Sequence, residues 1–157
     1  MIDPPVESWQ QLQRDAPAFA QRVLERFDAG TNKTLASIRA DGSPRISGTE
    51  LSFAEGRITL GMMPYSRKLA DVLRDPRVAI HCPTLEPPPG APSGWAGDAK
   101  IAGRLVAIAP LPSDPPGASS FTLELTEAVL TYIDADDAHL VVESWHAGRG
   151  WERLVRE

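Results

Sequence analysis

After Gly30 the apolar residues change from a helical period to an alternation of two, in short runs separated by tight-turn dipeptides. A period of two puts alternate side chains on opposite faces of an extended strand, so each run is a half-buried strand. Thr34 to Arg39 is the first. Asp41-Gly42 turns the chain into Arg45 to Phe53, and Glu55-Gly56 turns it again into Ile58 to Met62. Turn residues of this type between alternating runs specify hairpins, so these three arms form an antiparallel meander.

The rest of the chain repeats the theme. Arg77 to Cys82, Lys100 to Ile108 and His139 to Trp145 read as strands, and Trp151 to Arg156 pairs back on the last of these. Phe121 to Ile133 fits a helical step of four at Phe121, Leu125 and Val129. Leu123 falls off that face, and the alternation with Thr122, Glu124 and Thr126 favours a strand with an irregularity at Glu127-Ala128. Pro83 to Gly97 holds five prolines and Pro110 to Gly117 is also proline-rich, so both are loops.

Two helical segments interrupt the pattern. Trp9, Leu12, Phe19, Val23, Leu24 and Phe27 recur at helical steps over Glu7 to Phe27, with a break and a fresh helix start expected near Asp15, where Pro17 follows. Ser66 to Leu73 is a short helix, opened by Ser66 as N-cap and stopped by Asp75-Pro76. About seven short strands in 157 residues close most economically into a barrel, which removes exposed edges. The expectation is one mainly β domain over residues 1–157, with a helical segment at 1–30 and an antiparallel barrel at 31–157.

Composition narrows the function. The formal charge of −5 argues against a nucleic-acid surface, and no apolar run reaches the length of a membrane span. Cys82 is the single cysteine, which excludes an internal disulfide and a cysteine-built zinc site. Met1 to Pro5 lack the basic and apolar features of a secretory leader. These features predict a soluble cytoplasmic protein that binds neither nucleic acid nor membrane.

Ser66-Arg67-Lys68 carries the sharpest chemical clue. A helix N-terminus presents free N–H groups and partial positive charge. Two cations in its first turn oppose the dipole unless an anion sits between them and the N–H groups. Arg45, on the strand before Ile58 to Met62, is a further candidate for that anion. The alternative is that all three side chains extend into water. His146 is a site candidate at a strand end, against an exposed turn histidine. His81 reads as a partly buried core residue, and Asp134, Asp136, Asp137 and His139 as a solvated turn without calcium-loop spacing. No metal site is expected.

The order Pro44-Arg45, the Glu55-Gly56 hairpin, Ser66-Arg67-Lys68 and Asp75-Pro76-Arg77-Val78 resembles the pyridoxamine 5′-phosphate oxidase-like, FMN-binding split-barrel family. The resemblance runs from Thr34 to the C-terminus. There Val142-Glu143-Ser144-Trp145 with Arg153-Leu154 is similar to the family's closing segment. It implies a split β-barrel working as a homodimer, with FMN at the subunit interface and a small-molecule substrate. Related groups use the deazaflavin F420, and some bind haem.

By resemblance, Arg45, Ser66, Arg67 and Lys68 hold the flavin phosphate. Met62 and Met63 line the ribityl chain and ring edge. Trp145 approaches the ring of the second subunit, and Arg153 contacts substrate. Glu50 stands where the oxidases carry lysine, and the spacing from Trp145 to Arg153 differs from theirs. Pyridoxamine phosphate oxidation is therefore not the implied activity. The reading is a flavin- or deazaflavin-dependent oxidoreductase with no assigned catalytic side chain. The alternative is a non-catalytic flavin or haem binder, or a barrel without cofactor.

Overall fold

The computed structural model describes residues 7–136 and 139–156. The leader-region residues Met1 to Pro5, and Asp137 of the acidic turn, lie outside them. Two helices, α1 (Ser8–Asp15) and α2 (Pro17–Phe27), precede β1 (Lys33–Ile38), β2 (Pro44–Thr49), β3 (Ser52–Ala54) and β4 (Arg57–Met62). Then follow α3 (Arg67–Arg74), β5 (Arg77–His81), β6 (Asp98–Ile108), β7 (Ser119–Ile133), β8 (Leu140–His146) and β9 (Gly150–Arg156). Pro17 occupies the first turn of α2, where its missing N–H costs nothing, and Ala16 breaks the two helices apart.

The strands form one antiparallel sheet in the order β2-β1-β5-β6-β7-β4-β3, with β8 on β7 and β9 on β8. One edge of β7 is divided. Its first residues, Ser119 to Thr122, pair with β4, and Glu127 to Ile133 pair with β8. The ladder between β6 and β7 slips by one residue between Ala102 and Gly103, leaving Thr126 as the extra residue of a bulge. The bulge lies one residue before the expected irregularity. It bends the long strand where its second edge changes partner.

The expected arm Arg45 to Phe53 is not one strand. It ends at Thr49 and resumes at Ser52, and Glu50-Leu51 is a corner. β2 and β3 are the two ends of the sheet path, and only this corner joins them. The sheet thus curls round on itself and closes through the chain rather than through a hydrogen-bonded ladder. Leu35, Ile58, Leu60, Ile80, Ile101, Leu123 and Leu125 fill the interior. The helical pair covers it with Trp9, Leu12, Phe19, Val23 and Phe27. Trp9 meets Phe53 edge-on with ring centroids 5.1 Å apart. No helix among the described residues is long and apolar enough to cross a membrane.

Candidate functional site at the barrel seam

The seam between β2 and β3 leaves a cavity of about 530 Å³, lined by Gly48, Glu50, Thr59, Met63, Lys68 and Asp114 among others. Helix α3 starts at its edge. Ser66 has extended backbone angles and its hydroxyl accepts from the Leu69 N–H at 3.3 Å, which caps the helix. Tyr65 just before it takes φ of +64° and is fully exposed. A tyrosine in the left-handed region costs on the order of 1 kcal/mol.

The two cations after Ser66 part company. Lys68 lines the cavity, and its ammonium donates to the Gly48 carbonyl at 2.7 Å. Partial burial pulls the Lys68 amine below its usual range, because leaving water disfavours the charged form. Arg67 is exposed on the other flank of α3. There it shares an open depression of about 450 Å³ with Arg39, Arg45, Asp71 and Arg74. The first turn of α3 therefore carries positive charge on both sides.

Arg45 is held by Asp71. Its Nε donates to Asp71 Oδ2 at 2.7 Å, and the Ser37 hydroxyl donates to the same oxygen at 2.8 Å. Arg74 donates to Oδ1 at 3.2 Å. Asp71 is 3% exposed and titrates at about 2, mainly because of the Arg45 hydrogen bond, against the opposing pull of burial. Ser37 and Arg74 add to the lowering. The bond through Nε fixes the plane of the guanidinium and directs Arg45 along the depression that Arg67 also faces.

The opposite wall of the cavity comes from the second proline-rich loop. Asp114 accepts from the Leu111 N–H at 3.1 Å and from the Ser120 hydroxyl. This draws the loop over β4, where Gly61 has no side chain to obstruct it. A Cβ on Gly61 would stand 2.9 Å from Asp114 Oδ1. Gly61→Ala is expected to push the carboxylate off its two donors, at a cost of about 1 kcal/mol. A lower midpoint in chemical denaturation, with the slope unchanged, checks this.

Met62 and Met63 both line the seam cavity; Met62 is 1% exposed, with its side chain packed in the core, whereas Met63 is 56% exposed at the lip. The remaining expected site residues lie elsewhere. Trp145 is 1% exposed, and its indole N–H donates to Asp15 Oδ2 at 2.9 Å. It borders a different cavity, shared with Ser8, Gln11, Leu123 and Gly148. His146 Nε2 lies 3.0 Å from Glu127 Oε2. Arg153 reaches Asp134 at 3.4 Å, and its guanidinium is raised chiefly by the Tyr132 hydroxyl. Neither lines the seam cavity.

Asp71, Gly61 and Asp114 are the parts of this site that motif reading passed over. A buried acid beside Leu69 and Val72 on a short amphipathic helix is the one trace that Asp71 leaves in the sequence.

No protein-family model matches the chain, and no curated protein matches it in sequence. Solved structures do. PhzG from Burkholderia lata 383, in complex with tetrahydrophenazine-1-carboxylic acid, aligns with a TM-score of 0.61 at 16% identity, over 99% of this chain and 94% of its own. A pyridoxamine 5′-phosphate oxidase-related, FMN-binding protein from Nostoc punctiforme PCC 73102 aligns at 0.61 and 12% identity, over 90% and 96%. An F420 reductase aligns at 0.50 and 14% identity, over 66% of this chain and 93% of its own. With the divided edge of β7 and the seam closed through a corner, these likenesses identify the fold as the split β-barrel of pyridoxamine 5′-phosphate oxidase-like proteins.

Proposed function

We propose that the chain binds FMN at the barrel seam, in a homodimer, and acts as a cytoplasmic oxidoreductase on a small-molecule substrate; F420 is the alternative cofactor. The observation that carries this reading is the cationic first turn of α3, set beside a cavity between the two ends of the sheet. The donor set suits a phosphate monoester. Arg67 and Arg45 offer guanidiniums, Lys68 an ammonium, Ser66 its hydroxyl proton, and α3 its unpaired N–H groups. When bound, the flavin ring supplies the hydride or electron transfer. The protein's own part is to anchor the phosphate, to keep Arg45 oriented through Asp71, and to present the edge of β4 to the ring. Met63 at the lip, and Tyr65 two residues on, offer exposed apolar surface to a second subunit. Arg153 and His146 remain candidates for substrate contact from that subunit.

Glu50 and Asp114 favour a second reading, because carboxylates at the cavity oppose an anionic reduced ring. In that reading the chain carries flavin or haem without catalysis, or has no cofactor.

Titration with FMN, riboflavin, F420 and haem, followed by absorbance and fluorescence, separates these readings. FMN is expected to bind more tightly than riboflavin. Arg67→Ala is expected to weaken FMN about tenfold and to leave riboflavin unchanged, because an exposed charged hydrogen bond contributes at the low end of its range. Haem binding alone supports the carrier. If neither FMN nor F420 binds, the oxidoreductase reading falls.

A further inference from the structure

A cavity of about 220 Å³ lies apart from the seam, between α2, the end of the first proline-rich loop and β7. Arg22, Glu25, Arg26, Trp95 and Tyr132 line it, and it shares no lining residue with the seam cavity. Arg22 and Arg26 stand one helical turn apart, on the same face of α2.

Their situations differ. Arg22 is engaged: both terminal nitrogens donate to Glu143, a carboxylate 2% exposed, and its guanidinium lies 5.2 Å from the centre of the Tyr132 ring. Glu143 is further held by the indole N–H of Trp151 at 3.1 Å. Arg22 and Tyr132 therefore form a fixed wall. Arg26 has no ion-pair partner among the described residues. The residue is half-buried, and its Nη1 is sealed from solvent without a hydrogen-bond partner. A guanidinium keeps its proton in a protein, so that one unpaired N–H is relieved only by an acceptor.

We infer that this cavity binds a small aromatic monocarboxylate, with its carboxylate on Arg26 and its ring between Trp95 and Tyr132. The indole of Trp95 is oriented by its own N–H, which donates to the Leu85 carbonyl at 2.9 Å, so its apolar faces are left for contact. Glu25 at the rim repels a second negative charge, which selects a monoanion over phosphate. The volume is below the range of pockets for drug-sized ligands and suits a single ring, not a flavin. The inference does not rest on the proposed cofactor.

The test uses the full chain, with benzoate as probe and with benzamide and inorganic phosphate as controls, measured by calorimetry and ligand-observed NMR. Saturable benzoate binding is expected, at least about tenfold tighter than benzamide, which keeps the ring and loses the charge. Arg26→Ala is expected to weaken benzoate by about tenfold or more without lowering the melting temperature, because the one buried unpaired N–H leaves with the side chain. Three results would each overturn the inference: no saturable benzoate binding, equal affinity in the Arg26→Ala protein, or phosphate binding as tightly as benzoate.

Discussion

Asp71→Ala is expected to destabilise the protein by about 3 kcal/mol, through loss of one carboxylate that joins three elements. Ser37 on β1, Arg45 on β2 and Arg74 on α3 all donate to it. Its removal leaves Arg45, whose side chain is 18% exposed, without its counter-charge. Removing one partner of a buried pair costs about 3–5 kcal/mol. The lower end applies here, because Arg74 reaches water and screens part of the loss. For a chain of this size that is a fall of about 9 °C in the melting temperature. The effect has a pH signature. The folded carboxyl titrates at about 2, against 3.8 for the ordinary group, so its contribution is complete above pH of about 4 and disappears as pH falls through 2. The difference in stability between wild type and variant should therefore shrink across that window. A difference that stays constant from pH 6 to about 2 contradicts the assignment. The proposed phosphate anchor adds a second readout: in the same variant FMN should weaken relative to riboflavin, since Arg45 loses the bond that orients it.

Gly103→Ala is expected to be at least as damaging, at about 3 kcal/mol or more. A Cβ there would stand 2.1 Å from the Glu124 carbonyl oxygen and 3.1 Å from the Leu125 Cα. Both are backbone atoms of β7, so no rotamer change relieves the clash. Relief requires opening the β6–β7 ladder at the bulge, next to the point where β7 changes partner. Gly48→Ala is the control, because nothing lies within 4 Å of the added methyl. It should change stability by no more than about 0.5 kcal/mol. Denaturant melts of the two variants check this, and equal midpoints would refute the account.

The features legible before the structure was known are local ones. The break at Ala16, the hairpins at Asp41-Gly42 and Glu55-Gly56, and the Ser66 cap each depend on residues within a few positions of one another. So does the alternation that makes Phe121 to Ile133 a strand. Propensity and periodicity are enough to read them. The corner at Glu50-Leu51 escaped this reading because its cause is global: β2 and β3 must leave the sheet at opposite ends of the path. The partners of the site escaped for the same reason. Asp71 is 26 residues from Arg45, and nothing along the chain marks the pair. Asp114 sits among prolines with no pattern of its own. The bond from the Trp145 indole to Asp15, 130 residues away, is likewise unmarked along the chain.

By itself the order of residues determined which segments extend, which coil, and that positive charge gathers at the head of a short capped helix, since backbone preference and side-chain spacing act over a few residues. Tertiary structure alone decided that Arg67 and Lys68 divide between two flanks of α3, that Asp71 pairs with Arg45 and Arg74, and that Trp145 turns inward. These depend on which distant surfaces meet when the sheet closes, and burial energy is set by that meeting rather than by any neighbour in the chain.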